Sequence, residues 1–340
     1  MSQCKLDQRN DVGGKAASLG ELSSQFPVPD GFVVTARAFR EYLNTGLNSA
    51  PFPNGLKTWP GARANDLIAH MRQLPDTSLP TALRDSIARA YHQIGGGLVA
   101  VRSSGVCEDL PETSFAGQYE TFLGIHGEES LFEAVRKCWK SLFTKRAIEY
   151  YVRSKLESPP VMAVCIQKMV DARSSGVMFT LDPTTGDASK VLIESCWGLG
   201  EAAVQGEVSP DLFAVKKSDQ SILESRPGRK VVQYKLDHGS FGVLKLAVPT
   251  DLQQTQSLTN DEVIELADVG VRIEHYLGVP QDIEWAIEQI DPYTANILIL
   301  QSRPETVWSS SARRLSHSQE PLKEPLDLLM EALGKGRSLH

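Results

Sequence analysis

Gln281–Arg303 reads QDIEWAIEQIDPYTANILILQSR. Gln281 to Glu288 and Ile297 to Arg303 alternate as two strands, joined by the turn region at Asp291-Pro292. Period-two alternation puts Ile283, Trp285 and Ile287 on one face and leaves Asp282 and Glu284 together on the other. On the returning strand Gln301 and Arg303 keep the same two-residue spacing. Antiparallel pairing would therefore set an amide oxygen and a guanidinium beside the acidic pair. Hard oxygen donors next to an Arg fork suit magnesium and a phosphate chain. The same spacing also fits a solvated face crossed by ion pairs.

Working upstream, VMAVCIQKMV (161–170), SGVMFTLDP (175–183) and VLIESCW (191–197) read as strands, followed by the turn Gly198-Leu199-Gly200-Glu201. Glu201 is a further magnesium contact by chemistry, and a strand-to-helix turn by default. Thr259 and Glu262 form a capping box, and the helix they open runs through Val263, Leu266, Ile273 and Leu277 to a stop at Gly278. Residues 216–257 give no clear period. Leu131, Val135, Trp139, Leu142 and Phe143 keep the helical period, predicting a helix over 131–152. Leu98 to Val101 reads as a buried strand with Arg102 at its end, opening the loop SSGVCEDLPETSFAGQ (103–118).

The first hundred residues mix turns and short helices: Gly13-Gly14-Lys15 into AASLGEL, then VPDGFVVT, then an amphipathic stretch from Leu79 to Ile94. Lys15 could meet an anion at a helix N-terminus, or mark a plain turn. Arg102, with the hydroxyls and amides of Ser103 and Ser104, is a phosphate clamp or a structural tie. Gln167 to Val170 could offer backbone hydrogen bonds to an adenine edge, with Met169 against the ring, or form a core strand.

The whole chain has 340 residues, 41% hydrophobic and 23% charged, enough for about two lobes of ordinary size. A net charge of −7 gives no positive excess to draw it onto nucleic acid or an anionic membrane. Cys4, Cys107, Cys138, Cys165 and Cys196 match neither a zinc spacing nor a disulfide framework and are read as reduced thiols. The N-terminus lacks the apolar core of a signal peptide, so the expected location is cytoplasmic. None of the seven histidines suggests a nucleophile or metal cluster, and neither G-x-S-x-G nor the Walker pattern occurs.

GGKAASLGEL, VPDGFVVT, VRSS, EDLPETSFAGQYETFLG, SSGVMFTLD, WGLGE, DIEW and QSRPETV, in this order, resemble the ATP-binding region of phosphoenolpyruvate synthase. That region is shared with pyruvate, phosphate dikinase and rifampin phosphotransferase. The resemblance covers residues 10–308 and implies an α/β (α+β) fold of ATP-grasp type. Two lobes, about 1–160 and 161–308, would hold the nucleotide cleft between them, with 309–340 a linker and short C-terminal helix. It implies that Lys15 and Arg102 contact the phosphates of ATP, that Glu284 and Gln301 bind Mg2+, and that Asp282 and Arg303 complete the phosphate face. The 103–121 loop, with Ser114, Gly117 and Thr121, would close over the phosphates, and Gln167, Met169 and Val170 would line the adenine pocket.

In that family ATP is cleaved to AMP and phosphate while the β-phosphoryl group passes to a histidine on a swivelling domain and then to an acceptor. Here only about thirty residues follow QSRPETVW, and His317 and His340 lie outside any phosphohistidine motif. Gly105, Val106 and Cys107 also depart from the family's usual small residues and Thr. The expectation is an ATP-dependent phosphotransferase of paired-acceptor type, active with a partner subunit that carries the phosphohistidine and acceptor-binding domains for a small-molecule acceptor. In architecture it is most similar to the ATP-binding-like subunit of phenylphosphate synthase, which makes phenol the favoured acceptor. The alternatives are a phosphoenolpyruvate synthase-like ATP-binding domain acting on pyruvate, and a non-catalytic ATP-sensing subunit. Met1 and the distinctive tail favour a complete chain over a truncated synthase.

Overall fold

A computed structural model describes residues 1–47, 79–105, 109–110, 113–114, 120–142, 144, 161–291, 294–305 and 308. The fold is mixed α/β, with every strand pairing inside its sheets antiparallel. The first part holds helices α1 (Arg9–Leu22), α2 (Ala36–Leu47), α3 (Thr81–Gln93) and α4 (Glu128–Ser141). Its strands are β1 (Gly31–Val34), β2 (Val99–Gly105), the two-residue β3 (Asp109–Leu110) and β4 (Thr113–Ser114), β5 (Thr121–Ile125) and β6 (Met162–Lys168). Four of them form a sheet in the order β1-β6-β2-β5.

The first sheet is two-sided because its central strand is apolar on both faces. Met162, Val164 and Ile166 of β6 join a core with Leu131, Val135 and Trp139 of α4, the stripe whose spacing predicts that helix. Cys165, on the opposite face, packs with Val12, Ala16, Ala17 and Leu19 of α1. Each large aliphatic side chain so buried contributes about 1.5–3 kcal/mol. Helix α4 starts earlier and stops at Ser141, short of the predicted 152, and 145–160 lie outside the described residues.

The second sheet has the order β10-β9-β8-β7-β13-β14. Its strands are β7 (Ala172–Phe179), β8 (Lys190–Trp197), β9 (Asp211–Lys216), β10 (Ile222–Arg226), β13 (Gln281–Asp291) and β14 (Thr294–Pro304). A separate hairpin pairs β11 (Val232–Asp237) with β12 (Gly242–Ala247), and the described residues of this part also form two helices, α5 (Glu201–Val204) and α6 (Asn260–Leu277). Val263, Leu266 and Ile273 of α6 cover Met178, Val191, Ile193, Phe213, Ile283, Trp285 and Ile287. The predicted caps hold α6: Glu262 N donates to Thr259 Oγ1 at 3.3 Å, Thr259 N donates to Glu262 Oε2 at 2.8 Å, and Gly278 sits at φ +75°.

Strand β2 continues through Gly105, so Arg102 lies within it and not at its end. Arg102 through Gly105 pair with Cys165 through Met162 of β6, a ladder that turns the expected Ser-Ser-Gly loop into strand. Strand β6 belongs to the first sheet, and residues 169–171 separate it from β7 of the second. The unassigned stretch 216–257 contains β10, β11 and β12.

Candidate functional site

Helix α1 is bent at Gly13, whose φ of +77° and close approach to β2 admit no side chain: a Cβ there would lie 2.1 Å from Ser104 O. Across the bend Ser104 Oγ donates to Val12 O at 3.0 Å and accepts from Ala16 N at 3.3 Å. Lys15 is thereby laid along β2, its Nζ donating to Ser103 O at 3.1 Å. One turn on, Ser18 Oγ donates to Ser302 O of β14 at 2.8 Å. Helix α1 is thus fastened to both sheets, next to Arg102 on one and between Gln301 and Arg303 on the other.

Of the two hydroxyls expected as phosphate donors, Ser104 Oγ is engaged with α1, while Ser103 Oγ is buried without a partner.

On the second sheet the hairpin register is the one its spacing predicts: Asp282 opposes Arg303 and Glu284 opposes Gln301. Arg303 Nε and Nη2 reach Asp282 Oδ2 at 2.7 and 2.6 Å. Burial pushes the Asp282 carboxyl above its ordinary range, and the Arg303 guanidinium opposes that shift. After Glu284 the pairing slips, Trp285 opposing Ile299, which leaves Leu300 as the extra residue of a bulge. The Leu300 carbonyl accepts from Arg102 Nη1 at 3.0 Å, while Arg102 Nη2 donates to Glu284 Oε2 at 3.0 Å. A single guanidinium therefore joins the first sheet to the hairpin of the second.

Beside this junction opens a cavity of about 230 Å³ lined by residues of both sheets, among them Ala100, Arg102, Gln167, Met169, Val170 and Glu284. Ala100 opposes Gln167 and Arg102 opposes Cys165, so Arg102 and Gln167 share one face of the first sheet. Gln167 is 2% exposed, and its Nε2 is buried without a hydrogen bond. Within the segment expected to meet an adenine edge, two backbone donors are engaged: Lys168 N donates to Asp30 O at 2.8 Å and Met169 N to Leu98 O at 2.9 Å. Thr121 opposes Arg102 across β5. Ser114 ends β4, paired with β3, and Gly117 lies outside the described residues.

Two acidic residues not singled out with the phosphate face also line the cavity, Glu194 and Glu201. Glu194 opposes Val177, which opposes Glu284, which opposes Gln301, a single row across four strands. At about 4.8 Å per strand, Glu194 stands about 10 Å from Glu284. Its signal was the polar residue interrupting the apolar run VLIESCW.

A carboxylate facing an amide, with a second carboxylate two residues away, is a hard-oxygen donor set that fits magnesium and leaves room for oxygens from elsewhere. Among the described residues no group of three or more His, Cys, Asp or Glu forms a self-contained metal cage. Burial pushes the Cys138 thiol up to about 12 and the Cys165 and Cys196 thiols up to about 11, which disfavours their reactive thiolate forms. No helix among the described residues is long and apolar enough to cross a membrane.

Residues 9–324 match the family described as pyruvate phosphate dikinase, AMP/ATP-binding domain. The phosphoenolpyruvate synthase of Aeropyrum pernix is 41% identical over 339 residues, a match covering 88% of this chain and 41% of that protein. A probable phosphoenolpyruvate synthase of Methanothermobacter thermautotrophicus is 38% identical, with 96% and 48% covered. The phosphoenolpyruvate synthase of Pyrococcus furiosus is 34% identical, with 96% and 46% covered. The chain spans less than half the length of each of these relatives.

Proposed function

Because the chain belongs to the pyruvate phosphate dikinase AMP/ATP-binding domain family, we propose that residues 1–308 act as an ATP-grasp unit donating a phosphoryl group from ATP. Its two lobes hold the nucleotide with the base in the cavity and the phosphates beyond the Arg102–Glu284 contact. Lys15, Arg102 and Arg303 bind and orient the phosphates, offsetting their charge by position and not by a covalent bond to this chain. Glu284 and Gln301 hold Mg2+, which when bound neutralises charge on the phosphate oxygens. Gln167, Met169 and Val170 receive the adenine. Glu194, far from the cations along its row, is suited to accept hydrogen bonds from ribose hydroxyls.

The observation that carries this reading is the Arg102 fork, which joins the cavity to the acidic hairpin through Glu284 Oε2 and Leu300 O, each at 3.0 Å. With one water as co-reactant, ATP is cleaved to AMP and phosphate: the β-phosphoryl group passes to a histidine supplied by polypeptide outside the described residues, AMP leaves from the α–β bond, and water takes up the γ-phosphoryl group as inorganic phosphate. The acceptor reading now favours pyruvate over phenol, because the relatives above carry the name phosphoenolpyruvate synthase. The chain, ATP labelled at the β-phosphorus and the phosphohistidine-bearing remainder of a phosphoenolpyruvate synthase make up the test. Label on that histidine with AMP as coproduct supports the proposal, and accumulation of ADP or retention of all label on nucleotide rejects it.

A further inference from the structure

Glu284 has two claimants. The donor set above gives its carboxylate to a divalent cation, yet in this structure Oε2 accepts from Arg102 Nη2 at 3.0 Å. Arg102 is the more deeply held partner, its side chain 13% exposed against 36% for Glu284. A guanidinium in contact with a carboxylate repels a divalent ion and satisfies one of the oxygens the ion needs. The neighbouring charges do not compensate, since Asp282 is already paired with Arg303 and Lys15 adds a further cation nearby. Asp282, Glu284 and the nearby Glu305 stand against Arg102, Arg303 and Lys15, so no net negative charge invites a metal.

Arg102 also keeps a donor in reserve, because its Nε is buried without a hydrogen bond. A phosphate oxygen could accept from it. We infer that the metal centre is self-blocked: Arg102 occupies Glu284 until a polyphosphate draws the guanidinium away, so that the cation binds with or after the nucleotide and not before it. This rests on the metal assignment in the proposed function. It makes Arg102 a gate for the metal as well as a phosphate ligand, and couples the two sheets to the order of binding.

The test uses Mn2+ as the probe and the full chain without nucleotide, reading free Mn2+ by electron paramagnetic resonance. Arg102→Met removes the competing charge while keeping apolar bulk, and should bind Mn2+ about tenfold tighter or more than wild type. Adding Glu284→Gln to that variant should erase the gain. Where Arg102→Met fails to fold by circular dichroism, Arg102→Gln takes its place. Equal Mn2+ affinity in wild type and the Arg102 variant overturns the self-block. Glu284→Gln alone separates the causes, through the Mn2+ dependence of binding of a non-hydrolysable ATP analogue. If that dependence disappears while the Arg102 variant changes nothing, the metal assignment stands and the self-block alone falls; if neither changes, the assignment falls with it.

Discussion

Arg102 and Glu284, 182 positions apart in sequence, meet at 3.0 Å across two sheets. Neither strand dictates the other's position, so the contact reports how β2 and β13 are juxtaposed. Arg102→Ala removes the Leu300 and Glu284 contacts together, leaving a half-exposed carboxylate that water can solvate. The expected result is a folded protein with a melting temperature close to wild type and ATP affinity reduced about 10- to 100-fold, the loss of a strong charge-assisted contact. Isothermal titration measures it. Unchanged affinity would remove Arg102 from the phosphate site.

Gln167 makes the opposite bargain between stability and binding. Its Nε2 is buried without a partner, and such a donor costs about 1–3 kcal/mol in the ligand-free protein. Gln167→Met, close in shape, should leave the melting temperature unchanged or raise it, while weakening ATP about 5- to 50-fold. Inorganic tripolyphosphate, which has no base, should bind both proteins alike. A lowered melting temperature with unaltered ATP affinity would make Gln167 purely structural.

Asp182 carries the clearest pH signature. Lys190 Nζ lies 2.9 Å from its Oδ2, and its Oδ1 accepts from Thr184 N at 2.8 Å and Thr185 N at 3.2 Å. Hydrogen bonding from Lys190 above all, then from these amides, holds the carboxyl well below its ordinary value of 3.8 against the opposing effect of burial. The native state therefore binds this proton less readily than the unfolded chain does. Its contribution is complete above about pH 4–5 and is lost as the pH falls toward the depressed native value. Asp182→Asn should cost about 1–3 kcal/mol at pH 7 and progressively less below pH 4, measured by urea unfolding at several pH values. A difference independent of pH would mean that the charge contributes nothing.

Legibility followed periodicity. The β13–β14 hairpin was readable because Ile283, Trp285 and Ile287 are buried and alternate with polar residues, so the register that faces Glu284 to Gln301 follows from the pleat. The caps of α6 were readable because Thr259, Glu262 and Gly278 act within one turn of the chain. Arg102 was misplaced because Ser-Ser-Gly has loop composition, and only its ladder with β6, sixty residues on, makes it strand. The orphaned amide of Gln167 was hidden for a related reason: on a strand buried on both faces, one polar residue breaks no pattern. Strands β10, β11 and β12 are largely exposed or half-exposed on both faces, which flattens the alternation that would announce them.

Lys230, within that same unread stretch, forms a fully buried ion pair with Asp211 at the start of β9, both side chains at 0% exposure. Asp211 Oδ2 accepts from Ser257 N and Ser257 Oγ at 2.8 Å each, and Oδ1 accepts from Gly228 N at 2.8 Å. Lys230 Nζ also donates to Gly228 O at 3.1 Å. The pair ties β9 to the chain entering β11 and to the residues just before α6. Breaking one side strands the other charge away from water, so Lys230→Met should destabilise by about 3–5 kcal/mol. Asp211→Asn combined with Lys230→Met removes both charges while leaving an amide to accept from Ser257, and should recover a substantial part of that loss. The coupling free energy from urea unfolding of the two single variants and the double variant measures the pair, and additive losses would show that these two charges do not depend on one another.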